Sequence, residues 1–347
     1  MRTMIAVAAA ALLSTPAWAD DDCKLPLQSY GTVPLTMLSG QRSAFVPVEI
    51  AGVPKLMLLD TGASITMMKT AVVNELKLTP QGMEGATYDL TGGRSTVYVT
   101  APMTLGGMSA DKFVFVVGTP YLDQVGGRRA AGLLGANFLK NFDVSIDFAA
   151  QTFALLNQNH CDGKVVYWPE RPIAVVPFEL KGDAIIVKVE LDGHTFRAQL
   201  DTGAYNSTLE RSRAEGNFDL KPGSEDTPAI GDMDGKGMTV WKHRFQTLSL
   251  DGIAISNPEI EIIPDKISTK VNAWSTGSML DRQYNGPVEV PMLLGMNVLR
   301  QLHVYIAYKE RKLYITPGGP APASAPTPLA ATKPDATDMD DTSQTPP

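Results

Sequence analysis

The sequence predicts an all-β chain folded as two pseudo-symmetric, barrel-like lobes with short helices, and three duplicated patterns carry that prediction. The first is a four-residue turn written twice: Asp60-Thr61-Gly62-Ala63 after Leu56-Met57-Leu58-Leu59, and Asp201-Thr202-Gly203-Ala204 after the run from Phe196 to Leu200. A given tripeptide arises by average composition on the order of 10⁻⁴ times per position, so two in matched surroundings are hard to dismiss as chance. The second is the strand ahead of each turn. At the offset of 141 that aligns the two aspartates, Phe45 to Gly52 falls on Ile186 to Gly193, apolar on apolar and glycine on glycine. The third pairs Leu133-Leu134-Gly135 with Leu293-Leu294-Gly295 at an offset of 160, each followed by alternating apolar positions, Val144, Ile146 and Phe148 in one copy and Val304, Ile306 and Tyr308 in the other. The chain thus holds two copies of a unit of roughly 130 residues, each large enough for its own core.

A strand that ends in two hydrophobic residues and Asp-Thr-Gly-Ala, followed much later by hydrophobic-hydrophobic-Gly, resembles the aspartic proteases. The Ala after each Gly is similar to retropepsins and bacterial retropepsin-like proteins, whereas two lobes fused in one chain resemble pepsin. The resemblance covers residues 30 to 316. It implies a bilobal pepsin/retropepsin-like acid protease fold that takes an extended peptide or protein segment in the cleft between lobes as an added strand. It also implies a flap above that cleft and an active site completed within one monomer, with no cofactor.

Taken in order, residues 1–19 begin with Arg2, run through an apolar stretch and close on Ala17-Trp18-Ala19, the layout of a cleavable secretory signal. The apolar run is too short to span a bilayer, and no other stretch approaches a spanning length. A periplasmic or secreted protein without a membrane span is expected. Cys23 and Cys161 are the only cysteines. In an oxidising compartment they either form the single possible intrachain bridge or stay as two buried thiols. Residues 24–159 form the expected N-terminal lobe, 160–175 a connection, 176–316 the C-terminal lobe, and 317–347 a Pro-, Ala-, Thr- and Asp-rich tail without apolar periodicity, expected to be disordered.

Within the first lobe a leading strand is expected at Thr32 to Leu38 and a short helix at Lys69 to Leu76. Glycines at 92 and 93 between alternating strands predict a hairpin flanked by Tyr88 and Val97. It is an ordinary surface hairpin by spacing alone; the resemblance makes it the flap, with Tyr88, Gly92 and Gly93 against substrate. In the second lobe, Gly231 to Gly237 predict a comparable turn, and nineteen extra residues fall somewhere in 254–292.

The repeated turn suits peptide hydrolysis, which needs a water made nucleophilic and an amide nitrogen protonated as it leaves. Two facing carboxylates within hydrogen-bonding distance cannot both ionise, so Asp60 and Asp201 would share one proton, one acting as base while the other polarises the carbonyl. Gly62 and Gly203, lacking Cβ, let the backbone turn sharply and aim N–H groups at a carboxylate. The resemblance gives Thr61 and Thr202 the task of bonding the opposite turn. Ala63 and Ala204 supply no hydroxyl to favour the charged carboxylate, which predicts a pH optimum above pepsin's, mildly acidic to neutral. The two copies differ at Ser64 and Tyr205; the Tyr205 ring either lines one side of the cleft or packs inside the lobe, and core packing is the expected role.

Other chemistries lack a starting residue. Histidines 160, 194, 243 and 303 show no metal-ligand spacing, and no metal site is expected. There is no G-x-S-x-G elbow and no phosphate-binding glycine run. The formal charge of −7, or −8 once Arg2 is removed, makes nucleic acid a poor partner. Glycosidases also use paired carboxylates but do not need a glycine turn after each one. The rival of another class is an exported peptide-binding or scaffolding module that keeps the cleft with weak or no hydrolysis.

Overall fold

A computed structural model of the chain describes residues 23–38, 43–88, 94–118, 126, 130–168, 173–232, 238–265 and 290–318. The signal-like segment 1–19, residues 266–289 of the range in which the nineteen extra residues fall, and the tail from 319 lie outside the described residues.

The duplicated patterns become duplicated strands. Strands Ser43–Ile50 and Val53–Leu59 in one lobe match Ala184–Leu191 and His194–Leu200 in the other, each at the offset of 141. Each pair is closed by a two-residue turn with both φ angles positive, Ala51-Gly52 at 51° and 78° and Asp192-Gly193 at 43° and 81°. That turn twists as the strands do. The second strand of each hairpin runs parallel to the Leu-Leu element, Leu58 and Leu59 beside Leu133 and Leu134, Gln199 and Leu200 beside Leu293 and Leu294. Strand Arg94–Leu105 then returns to Ser43–Ile50 and closes the first lobe into a barrel. In the second lobe Thr247–Leu250 closes the ring the same way, on Glu190 and Leu191.

The expected leading strand is longer than its sequence signal and interrupted. Ser29–Pro34 and Thr36–Leu38 belong to different sheets, separated at Leu35, whose N–H donates to Gln151 O at 2.8 Å. Helix Thr70–Glu75 lies inside the expected range. Strands Gln81–Tyr88 and Arg94–Leu105 form the expected hairpin, with Tyr88 opposite Arg94 in the ladder.

A platform of six antiparallel strands joins the lobes, in the order Ser29–Pro34, Thr152–Leu156, Asp143–Asp147, Leu302–Ala307, Lys312–Pro317, Ala174–Lys181. Its pseudo-dyad passes between the two central strands, where Val144 meets Ile306 and Ile146 meets Val304. One platform face, including Val144, Ile146, Val304, Ile306 and Leu313, packs into the core that the lobes share. The other face carries Tyr305, Ala307 and Tyr314 and is covered by Leu27, Val165 and Trp168.

Two of the four histidines sit on that outer face as structural groups. His160 Nε2 lies 2.7 Å from Asp143 Oδ2, and Asp143 also accepts from Tyr305 OH at 3.2 Å and Tyr308 N–H at 3.0 Å. His303 Nε2 lies 2.8 Å from Ser145 Oγ, under the ring of Trp168. Burial without such partners would be costly. Beside His160, Cys161 is bridged to Cys23 over a sequence separation of 138. By loop-closure entropy a bridge this long contributes roughly 4–5 kcal/mol. Urea unfolding of a Cys23→Ser/Cys161→Ser variant is expected to give a stability lower by about 2–5 kcal/mol, with unchanged β-sheet circular dichroism under native conditions.

Candidate active site

Each aspartate sits one residue past a buried strand end. Asp60 N–H donates to Leu134 O at 3.1 Å and Asp201 N–H to Leu294 O at 3.0 Å, so each turn extends its own parallel ladder. The backbone then doubles back on the carboxylate. Asp60 Oδ1 accepts from Gly62 N–H at 3.0 Å and Ala63 N–H at 2.9 Å; Asp201 Oδ1 accepts from Gly203 N–H at 2.9 Å and Ala204 N–H at 3.1 Å. A Cβ at Gly62 would fall inside the Asp201 carboxylate and one at Gly203 inside that of Asp60. Glycine is therefore required because the opposite carboxylate occupies that space.

The two turns are bonded to each other. Thr61 Oγ1 accepts from Thr202 N–H at 3.1 Å and donates to Leu200 O at 3.0 Å. Thr202 Oγ1 accepts from Thr61 N–H at 3.1 Å and donates to Leu59 O at 2.7 Å. Both threonines are 1% exposed, so the four bonds are made without competing water. This crossed arrangement fixes Asp60 and Asp201 face to face, with their side chains hydrogen-bonded to each other.

The pair is strongly perturbed. Burial, the charge of Asp201 beside it and their mutual hydrogen bond push Asp60 up to about 8, against the pull of the Gly62 and Ala63 N–H groups. Burial pushes Asp201 up to about 6, opposed by the Gly203 and Ala204 N–H groups and by the bond from Asp60. Between those values the two carboxylates hold a single proton and a single negative charge.

Below each turn lies a support that the sequence reading did not single out. Asn137 Oδ1 accepts from Thr66 N–H at 2.9 Å and from Thr66 Oγ1 at 2.7 Å, and Gly135 N–H donates back to Thr66 Oγ1 at 3.0 Å. In the second lobe Asn297 Oδ1 accepts from Ser207 N–H at 2.7 Å and Oγ at 2.8 Å, and Gly295 N–H donates to Ser207 Oγ at 2.9 Å. Both asparagines lie two residues after the glycine of the paired Leu-Leu-Gly elements, and Thr66 and Ser207 are related by the offset of 141. A shared hydroxyl after each turn was the signal available. The chains cross closely here, since a Cβ on Gly135 would lie 2.7 Å from the Ile65 carbonyl carbon and one on Gly295 2.5 Å from Asn206 O.

Tyr205 corrects an expectation. Its ring is 42% exposed rather than packed in the lobe, whereas Ser64 at the equivalent position is 6% exposed. Tyr88 ends its strand at the mouth of the hairpin. Gly92 and Gly93 lie outside the described residues, as does the second-lobe turn at 233–237. Among the described residues no group of three or more His, Cys, Asp or Glu side chains could hold a metal ion, and no helix is long and apolar enough to cross a membrane.

A family model described as aspartyl protease matches residues 46–138 and 187–298, the two copies in turn. Among solved structures, the chain is similar to an aspartic proteinase from Irpex lacteus at 13% identity, with a TM-score of 0.47 over 85% of this chain and 99% of that one. No curated protein sequence matches.

Two measurements check the site's physics. Thr202→Val removes a hydroxyl that makes two buried bonds and orphans the Thr61 N–H; denaturant unfolding is expected to show a loss of about 2–4 kcal/mol, most of it restored in Thr202→Ser. The second concerns the dyad. Its folded pKa values lie above the ordinary 3.8, so the pair's contribution to stability is full below 3.8 and is lost as pH rises through about 6 and about 8. Asp60→Asn removes one of these charges, and its melting temperature relative to the parent chain is expected to rise between pH 4 and pH 9.

Proposed function

The chain belongs to the aspartyl protease family, and on that premise we propose that it is an exported aspartic endopeptidase whose Asp60 and Asp201 hydrolyse peptide bonds through one water. The observation that carries this reading is the pair of carboxylates held face to face by the crossed Thr61 and Thr202 bonds, close enough to share one proton. A pair with one proton and one charge holds both the base and the acid that amide hydrolysis requires.

A water held between the carboxylates gives a proton to the charged member as its oxygen attacks the scissile carbonyl. The protonated member gives its proton to the carbonyl oxygen, so the tetrahedral intermediate carries no net charge. When the C–N bond breaks, the leaving nitrogen takes the proton gained from water, the diol hydroxyl returns its proton, and the pair recovers its starting state. Water's oxygen ends in the new acid and its hydrogens are divided between the products. The crossed Thr61 and Thr202 bonds support the reading because they hold the dyad's geometry before substrate arrives, which lowers reorganisation in the reaction. The Gly62, Ala63, Gly203 and Ala204 N–H groups keep each inner carboxylate oxygen occupied and leave the outer oxygens for chemistry.

The expected substrate is a peptide or protein segment in extended conformation, bound by one monomer, with Tyr88, Gly92 and Gly93 as flap residues above it. The Cys23–Cys161 bridge supports an oxidising compartment, periplasmic or extracellular, and with it the reading of residues 1–19 as a signal peptide.

Digestion of a mixed peptide library by the mature protein tests the proposal. Cleavage is expected to fall by at least about 10³-fold in Asp60→Asn and in Asp201→Asn. The rate of the parent protein is expected to follow a bell with limbs near 6 and near 8. Equal residual cleavage in all three proteins removes the protease assignment, and selective peptide binding without turnover assigns the cleft to a binding module instead.

A further inference from the structure

The duplication is broken at one buried position beside the dyad. Leu58 and Gln199 are equivalent at the offset of 141, each two residues before an aspartate. Residues two apart on a strand share a face, so Gln199 lies on the face of Asp201, roughly 7 Å back along the strand. Its neighbours Ala198 and Leu200 point the other way, into the lobe core. In the first lobe this face is apolar throughout: Leu58 packs with Phe45, Ala130 and the partly buried Leu133. In the second, Gln199 lies opposite Ile186 and beside Leu293, in a wall whose other buried members are Ala184 and Val290.

Gln199 is 2% exposed, and its Nε2 has no hydrogen-bond partner among the described residues. A buried amide donor left unpaired within an apolar wall destabilises the fold. A leucine there, as in the first lobe, would avoid the cost, so the amide is accounted for if a ligand supplies the missing acceptor. The dyad narrows the choice of acceptor. With one negative charge held nearby, a carboxylate is repelled, and a neutral oxygen is favoured.

Resting on the protease reading, we infer that Gln199 is a specificity-determining residue. Its amide donates to a neutral acceptor, the side-chain oxygen of Gln, Asn, Ser or Thr, on the substrate residue that sits against the second lobe at one side of the scissile bond. The residue on the other side meets the Leu58 wall and is apolar. The cleft is thereby matched to a polar-apolar junction instead of the apolar pair that a symmetric cleft would take.

Cleavage-site profiling of a denatured protein mixture by the parent protein and by Gln199→Leu tests this, with binding of the same peptides to Asp60→Asn and to Asp60→Asn/Gln199→Leu measured by fluorescence anisotropy. The parent is expected to enrich neutral polar side chains at one flanking position about tenfold over leucine, and Gln199→Leu to lose that enrichment while still cleaving apolar pairs. A melting temperature at or above the parent's verifies that the variant folds. Apolar preference at both positions in the parent, or an unchanged profile in Gln199→Leu, overturns the inference. If no protein cleaves, the protease reading fails by itself. The amide's role then stands on Gln199-dependent selectivity in the binding arm, and falls if the two Asp60→Asn proteins bind alike or not at all.

Discussion

The molecule depends on two threonine hydroxyls that cross between lobes. Each does what a backbone group ordinarily does in a ladder, accepting from one chain and donating to another, but across a junction where no continuous strand can run. Because the bonds are reciprocal, neither turn can shift without stripping a donor from the other. Everything that makes the carboxylates unusual follows: their approach, their shared proton, and the absence of room for any side chain on Gly62 or Gly203. Serine could make the same bonds with more rotational freedom; threonine's β-branch narrows its χ1 choices.

Around that junction the support is layered. The Leu-Leu ladders fix where each aspartate leaves its strand, the Asn137 and Asn297 side chains tie each turn's exit to the following helix, and the platform sets the separation of the lobes. Each layer is present twice, yet the copies differ next to the dyad turns. Ser64 against Tyr205 and Leu58 against Gln199 are differences a fused chain can accumulate, because each lobe mutates alone. Two identical chains around the same dyad could not.

Much of this was legible in the sequence. The offset of 141 located both hairpins and both dyad turns, because strand length and a two-residue turn leave no slack for register to drift. The Leu-Leu-Gly elements were legible because glycine is obligatory where chains cross at Gly135 and Gly295. What escaped had no periodic mark. Asn137 and Asn297 look like ordinary polar residues at a helix start until Thr66 and Ser207 are brought to them from about 70 and 90 residues away. Tyr205 reads as a core aromatic because large rings are usually buried, and only the outward path of the turn exposes it. The break at Leu35 arises because one segment serves two sheets, which no local pattern announces.

The platform also decides which way the chain's leading end points. Cys23 is pinned to Cys161, next to the His160 that bonds Asp143 on the outer side of the platform, with a whole sheet and the shared core between it and the dyad. A handle, a fusion partner or an anchoring sequence spliced ahead of Cys23 is therefore leashed at the back of the molecule, and the mouth stays open to whatever arrives from the front.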